Sequence, residues 1–335
     1  MKRILMILFT FILSIVGLTA FLFVVSPKPT ALLINKLFEG GMAVKPANYD
    51  EIEKNTRSFQ DLSYESAYQE GYLDIITPKE FEGRLPVIFW VHGGAFLGGD
   101  KADITEYAVQ IANEGYIVVN MNYELAPSVK YPTPLRQLNE AYAFIAQEAD
   151  TYGIDMNHVY FAGDSAGAQI ASQFVNIQVE KDYADIVGIE GIVPPETIEA
   201  TLLFCGPYDV TRFGDISDNA VISFLFRRIG WAYIGDRNWL DSDSAKEASI
   251  IEYISGNFPP TFITDGNKGS FEDQGKELTK KLKDTGIFVQ DIFYSTEEAE
   301  LGHEYQFVMN TPQAENTFTK MIEFLRTSNR NGDQK

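Results

Sequence analysis

Cysteine is nearly absent: Cys205 is the only one in 335 residues. An intrachain disulfide framework and a thiolate metal cluster are therefore excluded. Histidine is almost as scarce. His92, His158 and His303 are the only three, so any imidazole chemistry must pass through one of them. Basic charge is also in deficit, with 27 Lys and Arg against 47 Asp and Glu and a net charge of −20. So acidic a surface repels phosphate backbones and argues against nucleic acid as a partner. Internal repeats and low-complexity segments are missing too. What remains is ordinary for a folded chain, with 45% hydrophobic and 22% charged residues. The length suits one large α/β domain or two small ones, with ample chain for a core.

The first 29 residues form a separate unit. Lys2 and Arg3 precede an apolar run from Ile4 to Val25, interrupted only by Thr10, Ser14, Gly17 and Thr19. Its 22 residues, at about 1.5 Å each, reach about 33 Å as a helix, enough to cross a bilayer core. Secretory signals usually carry a shorter apolar stretch and then a small-x-small cleavage site. Here the run continues past Ala20 into Phe21-Leu-Phe-Val-Val25, which favours an uncleaved anchor over a cleaved signal. The short basic N-terminus predicts that it stays inside and that the body lies outside the membrane. Secretion after signal cleavage is the alternative.

Pro27 and Pro29 follow the anchor, and Ala31–Phe38 has an amphipathic helical pattern. Residues 42–75 are polar and show no strong period. From Tyr72 onward, β-branched and aromatic runs recur at Val87–Val91, Tyr116–Met121, Val159–Ala162, Ala200–Cys205, Thr261–Thr264 and Phe288–Tyr294. Helical patterns fall between them at Ile104–Glu114, Pro134–Glu148, Ala168–Val179 and Gln274–Asp284. Such alternation predicts an α/β fold, a mostly parallel sheet with helices on both faces. Residues 207–256 interrupt it with aromatic-rich sequence, and an insertion over the C-terminal edge of the sheet is expected. The main domain is expected over 76–328, with a disordered tail at 329–335.

The chemical signal is Gly163-Asp164-Ser165-Ala166-Gly167. It follows the apolar strand His158-Val-Tyr-Phe-Ala162 and opens a helix at Ala166. Strand, tight turn and helix together form a nucleophile elbow, which lifts a serine hydroxyl above a sheet. A serine nucleophile needs a base. His158 starts the strand that ends at Ser165, about 23 Å away at about 3.3 Å per residue. His92 precedes Gly93-Gly94-Ala95-Phe96, a glycine-rich loop of the kind that supplies backbone N–H donors to an oxyanion, and reads as a packing or loop-fixing residue. His303 lies after the last strand, downstream of the nucleophile, and is the candidate general base. No metal or organic cofactor is called for.

Three blocks carry a family resemblance: Val91-His-Gly-Gly-Ala-Phe-Leu-Gly-Gly-Asp-Lys101, Asn122-Tyr-Glu-Leu-Ala-Pro127 and Gly163-Asp-Ser-Ala-Gly167. In order and spacing the chain resembles the hormone-sensitive-lipase-like carboxylesterases over residues 72–325. The resemblance implies an α/β-hydrolase fold and hydrolysis of small carboxylic esters of short to medium acyl length through a Ser-Asp-His triad. It also implies Gly93, Gly94 and Ala166 as oxyanion donors. A cap built from the segment before residue 75 and the 207–256 insertion is a further implication. Alternatives are a serine peptidase or amidase on the same fold and a non-catalytic binding module. Turnover of aryl esters without peptide cleavage separates the enzymes, and indifference to a fluorophosphonate probe marks the module.

The triad acid departs from the family pattern. Pro259-Pro260-Thr261 is followed by Asp265-Gly-Asn-Lys-Gly269-Ser-Phe-Glu-Asp273-Gln-Gly275, which places Gly269 where the acid is expected. A glycine cannot orient an imidazole. Asp265, at the strand end, is the first candidate to contact His303 directly, with Asp273 and Asp209 as alternatives. The loop Ser295–Gly302 is about four residues longer than usual in the family, so the two loops are expected to have adjusted together.

Overall fold

A computed structural model describes residues 2–38, 43–216 and 219–332. Its eight-stranded sheet has the order β1-β2-β4-β3-β5-β6-β7-β8. The strands are β1 Thr56–Ser63, β2 Tyr72–Pro78, β3 Leu85–Val91, β4 Ile117–Met121, β5 Ile154–Asp164, β6 Ile198–Phe204, β7 Thr261–Thr264 and β8 Val289–Ile292. From β4 to β8 every pairing is parallel, whereas β1 and β2 pair antiparallel at one edge.

The edge strands correct one expectation. The polar segment before residue 75 is not cap: it supplies β1, in which Arg57, Ser58, Gln60, Asp61 and Ser63 are exposed and only Thr56, Phe59 and Leu62 are half-buried. A strand open on one side needs little apolar sequence, which is why no period was visible. Only its first part, a helix at Lys28–Phe38, reaches the cap.

The helices are α1 Lys2–Val25, α2 Lys28–Phe38, α3 Tyr49–Lys54, α4 Thr105–Asn113, α5 Thr133–Tyr152, α6 Ala166–Val179, α7 Lys181–Val187, α8 Ala220–Ile234, α9 Asp243–Glu247, α10 Glu272–Asp284 and α11 Pro312–Gly332. Alternate residues of β3 divide the core. Val87, Phe89 and Val91 pack with α5, α6 and α10, while Ile88 and Trp90 pack with α4 and α11. Trp90 sits among Tyr107, Phe204 and Phe307, with ring centroids 5.3–6.2 Å away. The last helix reaches Gly332, into the segment expected to be a disordered tail. Residues 333–335 of that segment lie outside the described residues.

Register gathers the strand ends. Val91 pairs with Gly163, Gly163 with Leu203, and Leu203 with Ile263. The loops leaving β3, β5 and β7 therefore emerge side by side. Over them lie α8, α9 and 3-10 turns at Val210–Ile216 and Ile250–Tyr253, all within the expected insertion.

The elbow depends on a close approach between β3 and α6. A Cβ on Gly167 would lie 2.0 Å from the Val91 carbonyl oxygen, and one on Gly163 would lie 2.4 Å from Gly167 backbone. Neither backbone can yield without opening the sheet. Gly167→Ala should cost at least the about 1–3 kcal/mol typical of an overpacked site, read as a lower midpoint in a thermal melt. Gly214→Ala, which meets nothing within 4 Å, should leave the midpoint unchanged.

Candidate active site

Ser165 occupies the sharp turn between β5 and α6 with φ 49° and ψ −119°. Positive φ is costly for a residue with a Cβ and persists only where its surroundings enforce it. Here the Ser165 N–H donates to the Phe204 carbonyl at 2.8 Å, and the N–H groups of Ala168 and Gln169 donate back to the Ser165 carbonyl. The backbone is held on both sides, and the side chain faces a cavity.

His303 meets that side chain. Its Nε2 lies 2.9 Å from Ser165 Oγ. On the other side of the ring, Nδ1 lies 2.6 Å from the Ser270 hydroxyl, and Phe271 packs edge-on at 5.8 Å. Burial pulls the imidazole down to about 4, because a charged ring would lose its hydration.

Asp265 does not contact His303 by a hydrogen bond, which corrects the expected direct pair. Its Oδ1 accepts from the Ser270 hydroxyl and from the Gly266 N–H, so Ser270 stands between carboxyl and imidazole. The side chain is buried, and burial raises its pKa to about 8. The reason for the interposed serine is local. Asp265 follows β7 immediately, one residue before Gly266, and the chain then turns away through Gly269 at φ 61°. Ser270, directly after the position where the family pattern expects the acid, is left facing the ring. That serine was the only sequence signal of its part.

The two alternative acids sit elsewhere. Asp209 accepts from Thr211 and Ser249 inside the cap. Asp273 is exposed in the first turn of α10. The two loops lie against each other: the Lys268 N–H donates to the Leu301 carbonyl at 3.0 Å, and Asn267 bonds both Ala299 and Leu301. A Cβ on Gly266 would lie 2.1 Å from the Gly302 carbonyl oxygen. The longer second loop lies along the first and carries His303 to the elbow.

The oxyanion loop also differs from expectation. Gly93 donates its N–H to Asp164 Oδ2 at 2.8 Å and so is committed away from the cavity. Asp164 accepts from Trp90 Nε1 as well, at 2.7 Å, and burial raises its carboxyl to about 7. A Cβ on Gly93 would lie 2.4 Å from Asp164 Oδ2, which explains the glycine. Among the described residues, nothing accepts the N–H of Gly94, Ala95 or Ala166. Ala95 and Ala166 line the cavity with Ser165 and His303.

Sequence reasoning missed Glu304. Its Oε1 lies 3.7 Å from His303 Nε2, and burial, then the neighbouring Asp164, drive its carboxyl well above the usual range. A carboxyl directly after the candidate base was the available signal. His92 is buried, with its ring stacked on Tyr123 at 4.5 Å. His158 lies within β5 and faces Glu199 at 3.0 Å.

The cavity measures about 150 Å³ and is walled by Phe38, Phe96, Phe213, Phe226, Ile229 and Phe271. A void of about that size accommodates a benzene-sized apolar group. One cluster of metal-ligating atom types exists among the described residues: Cys205, Asp265 and His303, with ligand atoms within 4.8 Å of one another. Both His303 nitrogens are already engaged by serines, and burial pushes the Cys205 thiol well up. The Cys205 sulfur accepts from Gln306 Nε2 at 3.8 Å, whereas Asp265 Oδ2 has no hydrogen-bond partner among the described residues.

Residues 73–282 match the BD-FAE family. The chain belongs to that family. Over 81% of its length it is 31% identical to the alpha/beta hydrolase R526 of Acanthamoeba polyphaga mimivirus, covering 78% of that protein. It is 36% identical to the versiconal hemiacetal acetate esterase of Dothistroma septosporum, over 62% of this chain and 64% of the relative. It spans about half the length of the Mycobacterium tuberculosis esterases LipQ and LipC. Among solved structures, an inhibited esterase B from Lactobacillus rhamnosis has a TM-score of 0.73 at 19% identity, over 92% of this chain and 95% of that one. This BD-FAE chain thus has the α/β-hydrolase fold, and three of the relatives just named are esterases.

The electrostatics of the site can be checked directly. Because burial lowers both His303 and His92 to about 4, both rings should remain neutral down to about pH 5. A nitrogen NMR titration of the two imidazoles should show neither ring reaching the imidazolium form between pH 8 and pH 5.5.

Proposed function

We propose that the chain hydrolyses carboxylic esters with a short acyl group through an acyl-enzyme intermediate on Ser165. The observation that carries this reading is the 2.9 Å contact of His303 Nε2 with the strained Ser165, on the rim of an apolar cavity. His303 takes the serine proton as Oγ attacks the ester carbonyl, then passes it to the departing alcohol. The N–H groups of Gly94, Ala95 and Ala166 stabilise the tetrahedral oxyanion, and removing one such donor typically costs about 10²–10³ in rate. Water then releases the acid.

His303 acts as a base at Nε2 only when its proton is on Nδ1. A carboxylate at Asp265 accepts but cannot donate, so the Ser270 hydroxyl points at Asp265 and its oxygen accepts from Nδ1–H. Ser270 and Asp265 are positioning residues that work in series. Protonating Asp265 removes this constraint. Ser270 can then turn its hydrogen to Nδ1, which moves the ring proton to Nε2 and idles the base. Glu272 raises the Asp265 pKa, after burial itself, and Ser270 and Gly266 oppose that rise. Cys205, Tyr208 and Glu304 also face Asp265.

The N-terminal helix supports a single-pass membrane location with the hydrolase domain outside. It is 24 residues long with a mean hydropathy of 2.6 and no buried part.

Replacing the nucleophile tests the reading. Ser165→Ala should abolish turnover of p-nitrophenyl acetate and butyrate and labelling by a fluorophosphonate. Wild-type rates should fall from butyrate to decanoate. Persistent turnover by the variant would overturn the assignment.

Separate variants test the series. Ser270→Ala and Asp265→Asn should each lower kcat by about 10²–10⁴ with little change in KM, since a misplaced imidazole tautomer costs about 10⁴ in the serine-protease triad. The double variant should be no slower than the worse single one, and Ser270→Thr should retain most activity. In the wild type kcat should rise as pH passes through about 8, where Asp265 loses its proton, and Asp265→Asn should lack that rise. A Ser270→Ala enzyme at wild-type kcat would exclude the series.

A further inference from the structure

The cap helices present an outer face unlike the rest of the surface. On α2, Leu32, Leu33 and Leu37 are exposed, Leu32 by 73%. On α8, Val221 and Phe224 are exposed, Val221 by 67%. Spacing puts 33 and 37 on one side of α2 and 221 and 224 on one side of α8. The two helices pack against each other. Exposed apolar residues on adjoining helices form a patch, and such patches mark contact surfaces.

Charge points to the partner. The chain carries −20 overall, yet α2 exposes Lys28 and Lys36 and α8 exposes Arg227, with no carboxylate on either helix. Cations mixed with exposed leucine and phenylalanine match an anionic lipid surface, where basic groups meet headgroups and apolar ones enter the acyl boundary.

Position points the same way. Only Ser26 and Pro27 separate α1 from α2, and two linking residues span at most about 10 Å. Arg228 closes the joint: its guanidinium donates to the Ser26 carbonyl and lies over the Phe224 ring at 5.8 Å and the Trp231 ring at 4.4 Å. The exposed Phe224 is thus one side chain away from the end of the apolar helix.

We infer that the outer face of α2 and α8 lies on the anionic membrane surface beside α1, and that the enzyme takes esters dissolved in that membrane. This rests on the esterase and membrane readings above. The inner faces of the same helices supply Phe38, Phe226 and Ile229 to the cavity beside Ser165. The small cavity receives a short acyl group, while the apolar alcohol portion remains in the lipid. Preferred substrates are therefore short-acyl esters of long-chain, membrane-dissolved alcohols.

The test uses the full chain reconstituted in vesicles of phosphatidylcholine with zero to 40% phosphatidylglycerol as a chosen range, about that of anionic membranes. Two substrates are compared, hexadecyl acetate dissolved in the bilayer and p-nitrophenyl acetate in the water. Hexadecyl acetate turnover should rise with the anionic fraction and fall as salt screens the surface. In Leu32→Glu/Phe224→Glu it should drop about tenfold or more, with p-nitrophenyl acetate turnover within about twofold of wild type. The latter rate shows that the variant is folded. Equal loss on both substrates, or no loss on hexadecyl acetate, would overturn the inference. Failure of the parent readings looks different: activity surviving Ser165→Ala would sink the esterase reading, and release of the chain by alkaline extraction would sink the anchor.

Discussion

The site depends first on one approach between backbones. The helix that follows Ser165 can begin where it does only because Gly167 lets it press against the Val91 carbonyl, where a Cβ would be 2.0 Å away. That contact brings the end of β3 and the start of α6 together. The loop after β3, with its free N–H groups, is thereby placed beside Ser165. It also fixes the turn in which Ser165 must take positive φ. Strain in one residue is tolerated because the Phe204 carbonyl and the first turn of α6 hold it from two directions.

Beneath this contact lies a layer of buried carboxyls with separate tasks. Asp164 shapes the oxyanion loop by accepting from Trp90 and Gly93. Asp265 accepts from the Ser270 hydroxyl, whose oxygen also lies against His303 Nδ1. Burial raises both carboxyls, to about 7 and about 8, because few donors replace the water each has lost. The site is therefore governed more by desolvation than by direct charge pairing, and the interposed Ser270 makes the direction of one hydroxyl depend on the ionisation of one acid.

The cap reconciles two demands. Its inner face must be apolar to exclude water from the ester, and its outer face carries apolar and basic groups beside α1. The chain has a net charge of −20, while the two cap helices α2 and α8 carry cations and no carboxylate.

Local sequence determined the sharp strand-to-helix turn at Ser165, the helical or extended character of most segments, the parallel sheet and the N-terminal helix. Each rests on contacts within a few residues: alternation along Val87–Val91, glycines two residues either side of Ser165, an unbroken apolar run. His303 was legible by elimination among three histidines, and Asp265 by its place at a strand end. Tertiary structure alone decided that Ser270 separates those two, that Gly93 turns its N–H to Asp164, that Glu304 lies against His303, and that the polar segment before residue 75 joins the sheet as β1. These outcomes turn on which loop lies against which. The Asp265 and His303 loops are zipped by bonds from Asn267 and Lys268 to residues more than thirty positions away. Hydrogen bonds of about 3 Å select among partners by distances and directions that only the packed sheet establishes, and no pattern within either loop encodes them.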